Sequence, residues 1–270
     1  MTATEGAILG IVQGLTEFLP VSSKGHLALV GALMGVTDQT LLFKIALHFG
    51  TLLSLFVYFG KDVFRMLRAF SAGVLSPREA YARDPHFRLG VQVILACIPA
   101  GIAGVLLEHR LERWMNDPLL TCYGLLGTAV ILFSTRIAAL RPEEQLTAGR
   151  ALAVGFAQVF ALAPGISRSG STIAGGMWSG LAGPTAGKFS FLVSMPLIFG
   201  ATLLEARKLF TQPLTGAEWA VTGIGIVCSC ITGIFALSFL LAVLRTKRIS
   251  WFGAYCAVVG VVGVILLHRA

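Results

Sequence analysis

Gln13 and Glu17 stand four residues apart in an otherwise apolar stretch. On a helix that spacing puts both on one face. There an amide and a carboxylate can bind a cation, hold a water or close a contact with each other. Pro20-Val21-Ser22-Ser23-Lys24-Gly25-His26 follows. Pro20 stops a helix and Gly25 permits a tight turn. Backbone N–H groups of such a turn, the two hydroxyls and the next helix N-terminus can cradle an anion. His26 can give or take a proton near neutral pH. A second cluster reads Pro164-Gly165-Ile166-Ser167-Arg168-Ser169-Gly170-Ser171-Thr172. A guanidinium set among hydroxyls and glycines makes bidentate bonds to phosphate; the plainer reading is an ion pair with Glu17. One cluster offers a carboxylate, hydroxyls and an imidazole, the other an arginine and hydroxyls. That set suits phosphoryl chemistry on a lipid-linked phosphate, and it would equally suit transport of an anion.

These groups are conspicuous because the chain around them is so apolar. Charged residues are 13% of 270, hydrophobic residues 56%, and the mean hydropathy is +0.81. Soluble domains carry roughly 25% charge. The composition excludes a disordered chain and points to a polytopic membrane protein. The net charge of +8 does not indicate nucleic-acid binding, because the basic residues form no dense run with interleaved aromatics. Within apolar stretches the ionisable residues are Glu17, Lys24, His26, Lys44, His48, Arg168 and Lys188. Such groups are expensive in a bilayer and mark function by default. Lys44 and Lys188 lie near span ends and can snorkel. His48, one turn after Lys44, is left open between helix packing and lining a site.

Six uncharged runs are long enough to span: 45–60, 89–107, 118–135, 189–204, 219–244 and 249–267. In the connection 61–88, the segment KDVFRMLRAF reads as a short interfacial amphipathic helix. Two further apolar regions, about 6–36 and 150–187, are broken by the clusters described above. Irregular backbone at membrane depth survives only inside protein or beside a cavity, so both read as re-entrant helical hairpins. The glycines of 175–187 suggest close helix approach. The expected fold is therefore all-α and polytopic, with six full transmembrane helices and two re-entrant hairpins.

The two broken regions also resemble each other. Residues 10–26 align without gaps to 155–171, matching Gly10 with Gly155, Gln13 with Gln158, Ser22 with Ser167 and Gly25 with Gly170. Repeats with interrupted helices in corresponding places point to a membrane binding site. Three spans separate the hairpins, so the repeat is expected to be inverted. The chain would be one membrane domain, 1–270, with halves of about 1–140 and 141–270. Loops 61–88, 136–150 and 245–248 share one side and hold more than twice the basic residues of the other, which has Arg110, Arg113, Arg207, Lys208 and Arg269. That bias puts the first side in the cytoplasm and both termini outside. No Lys or Arg precedes Lys24, so no signal-peptide n-region is expected. Cys97, Cys122, Cys228, Cys230 and Cys256 lie in apolar stretches and read as small hydrophobes.

TEFLPVSSKGH and PGISRSGSTIAGG, with FSFLVSMP after them, resemble the undecaprenyl-pyrophosphate phosphatase family of bacteria, integral membrane enzymes linked to bacitracin resistance. The likeness runs over nearly the whole chain. It implies hydrolysis of undecaprenyl pyrophosphate to undecaprenyl phosphate and inorganic phosphate, which recycles the lipid carrier of peptidoglycan synthesis. It also implies residence in the bacterial inner membrane, a site facing the periplasm, and a divalent cation, Mg²⁺ or Ca²⁺. Gln13 and Glu17 match the family's first motif and would be the metal ligands. Ser22 and Ser23 match its serine pair, His26 its histidine, and Ser167, Arg168, Ser169 and Thr172 its second motif. On this reading Glu17, Ser23, His26 and Arg168 are catalytic, while Ser22, Ser167, Arg168, Ser169 and Thr172 bind the pyrophosphate. Ser23 is the candidate nucleophile with His26 as general acid/base, and direct attack by His26 competes. The partners expected are a prenyl pyrophosphate and membrane lipids, with a homodimer a further expectation. The sequence departs from the family at Lys24, usually Thr, at Gln13, often Glu, and at Lys44, where an acid is expected. The alternative function is a transporter or flippase for a lipid phosphate or another anion.

Overall fold

Each uncharged run folds as one long helix, because in an apolar solvent every backbone N–H and C=O must be satisfied within the segment. The computed structural model describes residues 1–36, 40–115, 117–138, 145–206, 215–246 and 248–269. Arg141, Arg207, Lys208 and Lys247, all part of the charge asymmetry, lie outside these residues. Helices α1 (Ala3–Phe18) and α2 (Ser23–Leu33) form the first broken pair, and α7 (Ala148–Phe160) and α8 (Arg168–Trp178) the second. The long helices are α3 (Leu41–Gly73), α5 (Pro85–Met115), α6 (Pro118–Ala138), α9 (Gly183–Ala206), α10 (Gly216–Arg245) and α11 (Ser250–Arg269). The short α4 (Pro77–Arg83) lies between α3 and α5. Among the described residues, six helices are long and apolar enough to cross a membrane. Their outer faces carry exposed large hydrophobes, such as Val57, Val105, Leu106, Ile137 and Phe235. A surface like that is stable against lipid and not against water. The molecule is a polytopic all-α membrane protein.

One expectation is corrected. The segment after residue 60 is not a separate interfacial helix but the unbroken continuation of α3 to Gly73. No proline interrupts it. It ends where a side chain at Gly73 would meet the Phe87 ring at 2.7 Å, so α3 and α5 come together tightly there. Helix α9 likewise starts earlier than expected, at Gly183. It carries Lys188 within the helix, where Lys188 Nζ donates to Asp62 Oδ1 at 2.8 Å.

The helices of both broken pairs have 16, 11, 13 and 11 residues. At about 1.5 Å per residue each is shorter than a ~30 Å hydrocarbon core. Helix α1 packs along α10, and α7 packs along α5. Glycines permit both approaches: a Cβ at Gly10 would lie 2.5 Å from the Gly225 carbonyl oxygen, and one at Gly155 would lie 2.6 Å from that of Ala96. In the glycine-rich α8, side chains at Gly175 and Gly176 would collide with Ala157 and Ala186, so its glycines do serve close approach. Phe18 of α1, Leu55 and Phe59 of α3, and Phe189, Phe191 and Leu192 of α9 belong to the main buried cluster, together with Val154 of α7 and Ile173 of α8.

Helix α6 fixes the second turn. Gly165 has φ +78°, and Thr128 Oγ1 donates to its carbonyl at 3.1 Å while accepting from Ser167 N at 2.9 Å. Val21 of the first turn packs between α6 and α11, on Leu125, Ala129 and Cys256. Both turns are thus held by neighbouring helices.

Candidate active site

Glu17 sits in the last turn of α1 and Ser23 starts α2, joined by the Leu19–Pro20 turn. Between them Ser22 adopts φ 67°. A non-glycine residue there costs about 1–3 kcal/mol and persists only where the surroundings impose it. Ser22 makes no side-chain cap, so the first N–H groups of α2 have no capping acceptor. Opposite, α8 starts at Arg168, and Ser167 caps it by accepting from Gly170 N at 3.1 Å. The N-termini of α2 and α8 both end at one cavity of about 460 Å³. Their dipoles favour an anion there.

Glu17 is the hub. Its Oε2 accepts from Ser23 Oγ at 2.7 Å and from Gln13 Nε2 at 3.0 Å. Its Oε1 pairs with Arg168 Nη2 across the two broken pairs. His48 Nε2 lies 3.6 Å from Oε2. The carboxylate is only 8% exposed, and a charge so buried needs this number of partners.

Of the residues singled out in the sequence, Glu17, Ser22, Ser23, Lys24, His48, Ser167 and Arg168 line the cavity. Gln13 stands behind Glu17, fully buried. Ser169 and Thr172 are turned into the protein. Ser169 Oγ donates to the Leu19 carbonyl at 3.3 Å. Thr172 Oγ1 donates to the Arg168 carbonyl at 2.7 Å and shares a 2.5 Å hydrogen bond with Ser190 Oγ of α9. His26 also faces away from the cavity. Its Nδ1–H donates to the Ser22 carbonyl at 2.9 Å, so in the neutral ring Nε2 accepts from the Tyr255 hydroxyl at 2.6 Å. Tyr255 of α11 stacks on it at 5.6 Å.

The family described as bacitracin resistance protein BacA matches residues 6–262. The chain belongs to the BacA family. An undecaprenyl-diphosphatase of Salinibacter ruber is 39% identical over 272 residues, covering 99% of this chain and 100% of that one. The undecaprenyl-diphosphatase of Korarchaeum cryptofilum is 37% identical over 268 residues, with 99% and 100% covered. An undecaprenyl-diphosphatase 2 of Stutzerimonas stutzeri is 39% identical over 264 residues, with 96% of each covered.

Both clusters of this BacA chain fall inside the matched residues. His48, left open between helix packing and lining a site, lines the cavity. The cavity also holds Gln158, to which sequence reasoning gave no role. The available signal was an amide inside an apolar run, aligned with Gln13. A phosphatase family suggests metal dependence, and the donor set bears on it. Among the described residues no three His, Cys, Asp or Glu gather as a cage. Glu17 is the carboxylate at the cavity, and Gln13 keeps Oε1 buried without a partner. One carboxylate with substrate phosphates is a common way to hold Mg²⁺, and these residues fit that mode.

Proposed function

We propose that the chain hydrolyses undecaprenyl diphosphate to undecaprenyl phosphate and inorganic phosphate in this cavity. The reaction recycles the lipid carrier of cell-wall synthesis and accounts for the bacitracin resistance in the family's description. One observation carries the reading beyond family membership: a serine hydroxyl, a carboxylate and an arginine bonded in series at two helix N-termini. Phosphoryl transfer needs mainly positioning and charge stabilisation, and that is what such a group supplies.

Arg168 and the N-termini of α2 and α8 hold the diphosphate. Glu17 takes the proton of Ser23 as Ser23 Oγ attacks the terminal phosphorus. The Oγ–P bond forms, the bridging P–O bond breaks, and undecaprenyl phosphate leaves with the bridging oxygen. Water then attacks the phosphoserine, the Oγ–P bond breaks, inorganic phosphate leaves, and Ser23 regains a proton. His48, beside Glu17, adds positive charge when protonated. His26 holds α2 against α11 through Tyr255. Glu17, with Gln13 buried behind it, would hold a divalent cation, Mg²⁺ or Ca²⁺, and such an ion would add neutralising charge.

The broken pairs are read as re-entrant and the halves, about 1–140 and 141–270, as inverted repeats. The exchange of α1 onto α10 and α7 onto α5 supports this. The cavity faces the periplasm of the bacterial inner membrane and both termini lie outside, a reading that rests on the basic loops. The test is phosphate release from undecaprenyl diphosphate by purified protein in detergent. Turnover is expected; no release, with lipid still moved across liposomes, would favour the transporter.

A further inference from the structure

Gln158 lies in the last turn of α7. It lines the same cavity and is only 3% exposed. Neither its Oε1 nor its Nε2 has a hydrogen-bond partner in the protein. Native proteins rarely leave a buried carboxamide wholly unpaired, because desolvation is then uncompensated. Its aligned counterpart, Gln13, leaves only Oε1 unpaired, because its Nε2 has a partner. Gln13 donates to Glu17, four residues on. Four residues after Gln158 stands Leu162, which also lines the cavity and has nothing to accept a hydrogen bond. The repeat keeps the amide and drops its carboxylate.

We infer that Gln158 is a substrate-binding residue whose carboxamide pairs with the diphosphate. The inference rests on the hydrolase reading given above. The chemistry of the neighbours selects the ligand. Arg168, Ser167 and the N-terminus of α8 line the same cavity and make it a phosphate site. An amide is suited to a crowded anion: Nε2 gives two donors without adding a charge, and Oε1 accepts from a protonated phosphate or a water. The occupied cavity thus satisfies the group that the protein leaves unsatisfied.

The test is Gln158→Met, which keeps length and volume but removes both polar atoms. Two readouts are taken in detergent: kcat/KM for undecaprenyl diphosphate, and the Kd of a prenyl methylene-bisphosphonate that cannot be cleaved. Each is expected to worsen about tenfold or more, the effect of losing one good charge-assisted hydrogen bond. Melting temperature is expected to hold or rise, because an unpaired polar group has gone. A merely structural glutamine would give the reverse, a lower melting temperature with unchanged Kd. Gln158→Glu, nearly isosteric, provides a second variant should Met misfold; it is expected to weaken the bisphosphonate further through like-charge repulsion. Unchanged kcat/KM and Kd in a folded variant overturn the inference, including the version in which only water occupies the amide. If wild type binds the bisphosphonate, Gln158→Met binds it less, and neither hydrolyses the lipid, the hydrolase reading fails and the Gln158 assignment stands. If wild type hydrolyses and the variants match it, the reverse holds.

Discussion

At Glu17 four side chains meet a carboxylate almost out of reach of water. Breaking such a set by removing one partner strands the others, so the informative change at Arg168 keeps the charge and alters the geometry. Arg168→Lys does this. Lysine retains the positive charge but lacks the planar fork. With one transition-state donor array lost, kcat/KM is expected to fall about 100-fold or more, with melting temperature little changed. Near-normal turnover would refute the clamp. That Glu17, Ser23 and Arg168 come together was legible in the sequence because each is a polar group at a helix break in a chain of low charge. The surroundings of His26 and Thr172 were less so. Spacing tells which face of its own helix a residue occupies, but not what lies across from that face. The group across from His26 is Tyr255, 229 positions away, and the group across from Thr172 is Ser190 of α9.

Among the elements, several helices approach each other backbone to backbone at glycines. Gly10 and Gly155, matched in the repeat, each face a carbonyl oxygen on a neighbouring helix. A backbone carbonyl cannot rotate aside as a flexible side chain does. Gly10→Ala should therefore lower the melting temperature by several degrees, in line with an overpacking cost of about 1–3 kcal/mol. Gly60→Ala, where nothing lies within 4 Å, should leave it equal or higher, since alanine favours helix. Equal melting temperatures for both variants would show that the α1–α10 approach is not tight. All six spans were legible from apolar length alone. Their ends were not, because a charge near a helix end does not terminate it. Helix α3 runs on past Lys61 and Asp62 to Gly73, and α9 starts at Gly183, before Lys188, which pairs with Asp62.

The whole molecule joins an apolar exterior to a largely apolar cavity in which Glu17, Ser23, Ser167 and Arg168 gather. The orientation proposed above rests on where the basic loops lie. Ser76, exposed at the start of α4 between α3 and α5, belongs to the basic side. A Ser76→Cys variant should react with an impermeant maleimide only after the membrane is opened, while Thr4→Cys should react in intact cells. The opposite pattern would invert the topology. Two clusters far apart in the sequence form one cavity because each broken pair brings a helix N-terminus to it, the first with Glu17 close by and the second with Arg168. What remains is whether the cavity performs the reaction. Wild-type protein and Glu17→Gln, purified side by side in detergent, should be given undecaprenyl diphosphate and assayed for inorganic phosphate. We expect steady release from wild type and at least about a 100-fold slower rate from the variant, the size of a lost general base. Equal rates, or no release from wild type, would contradict the account.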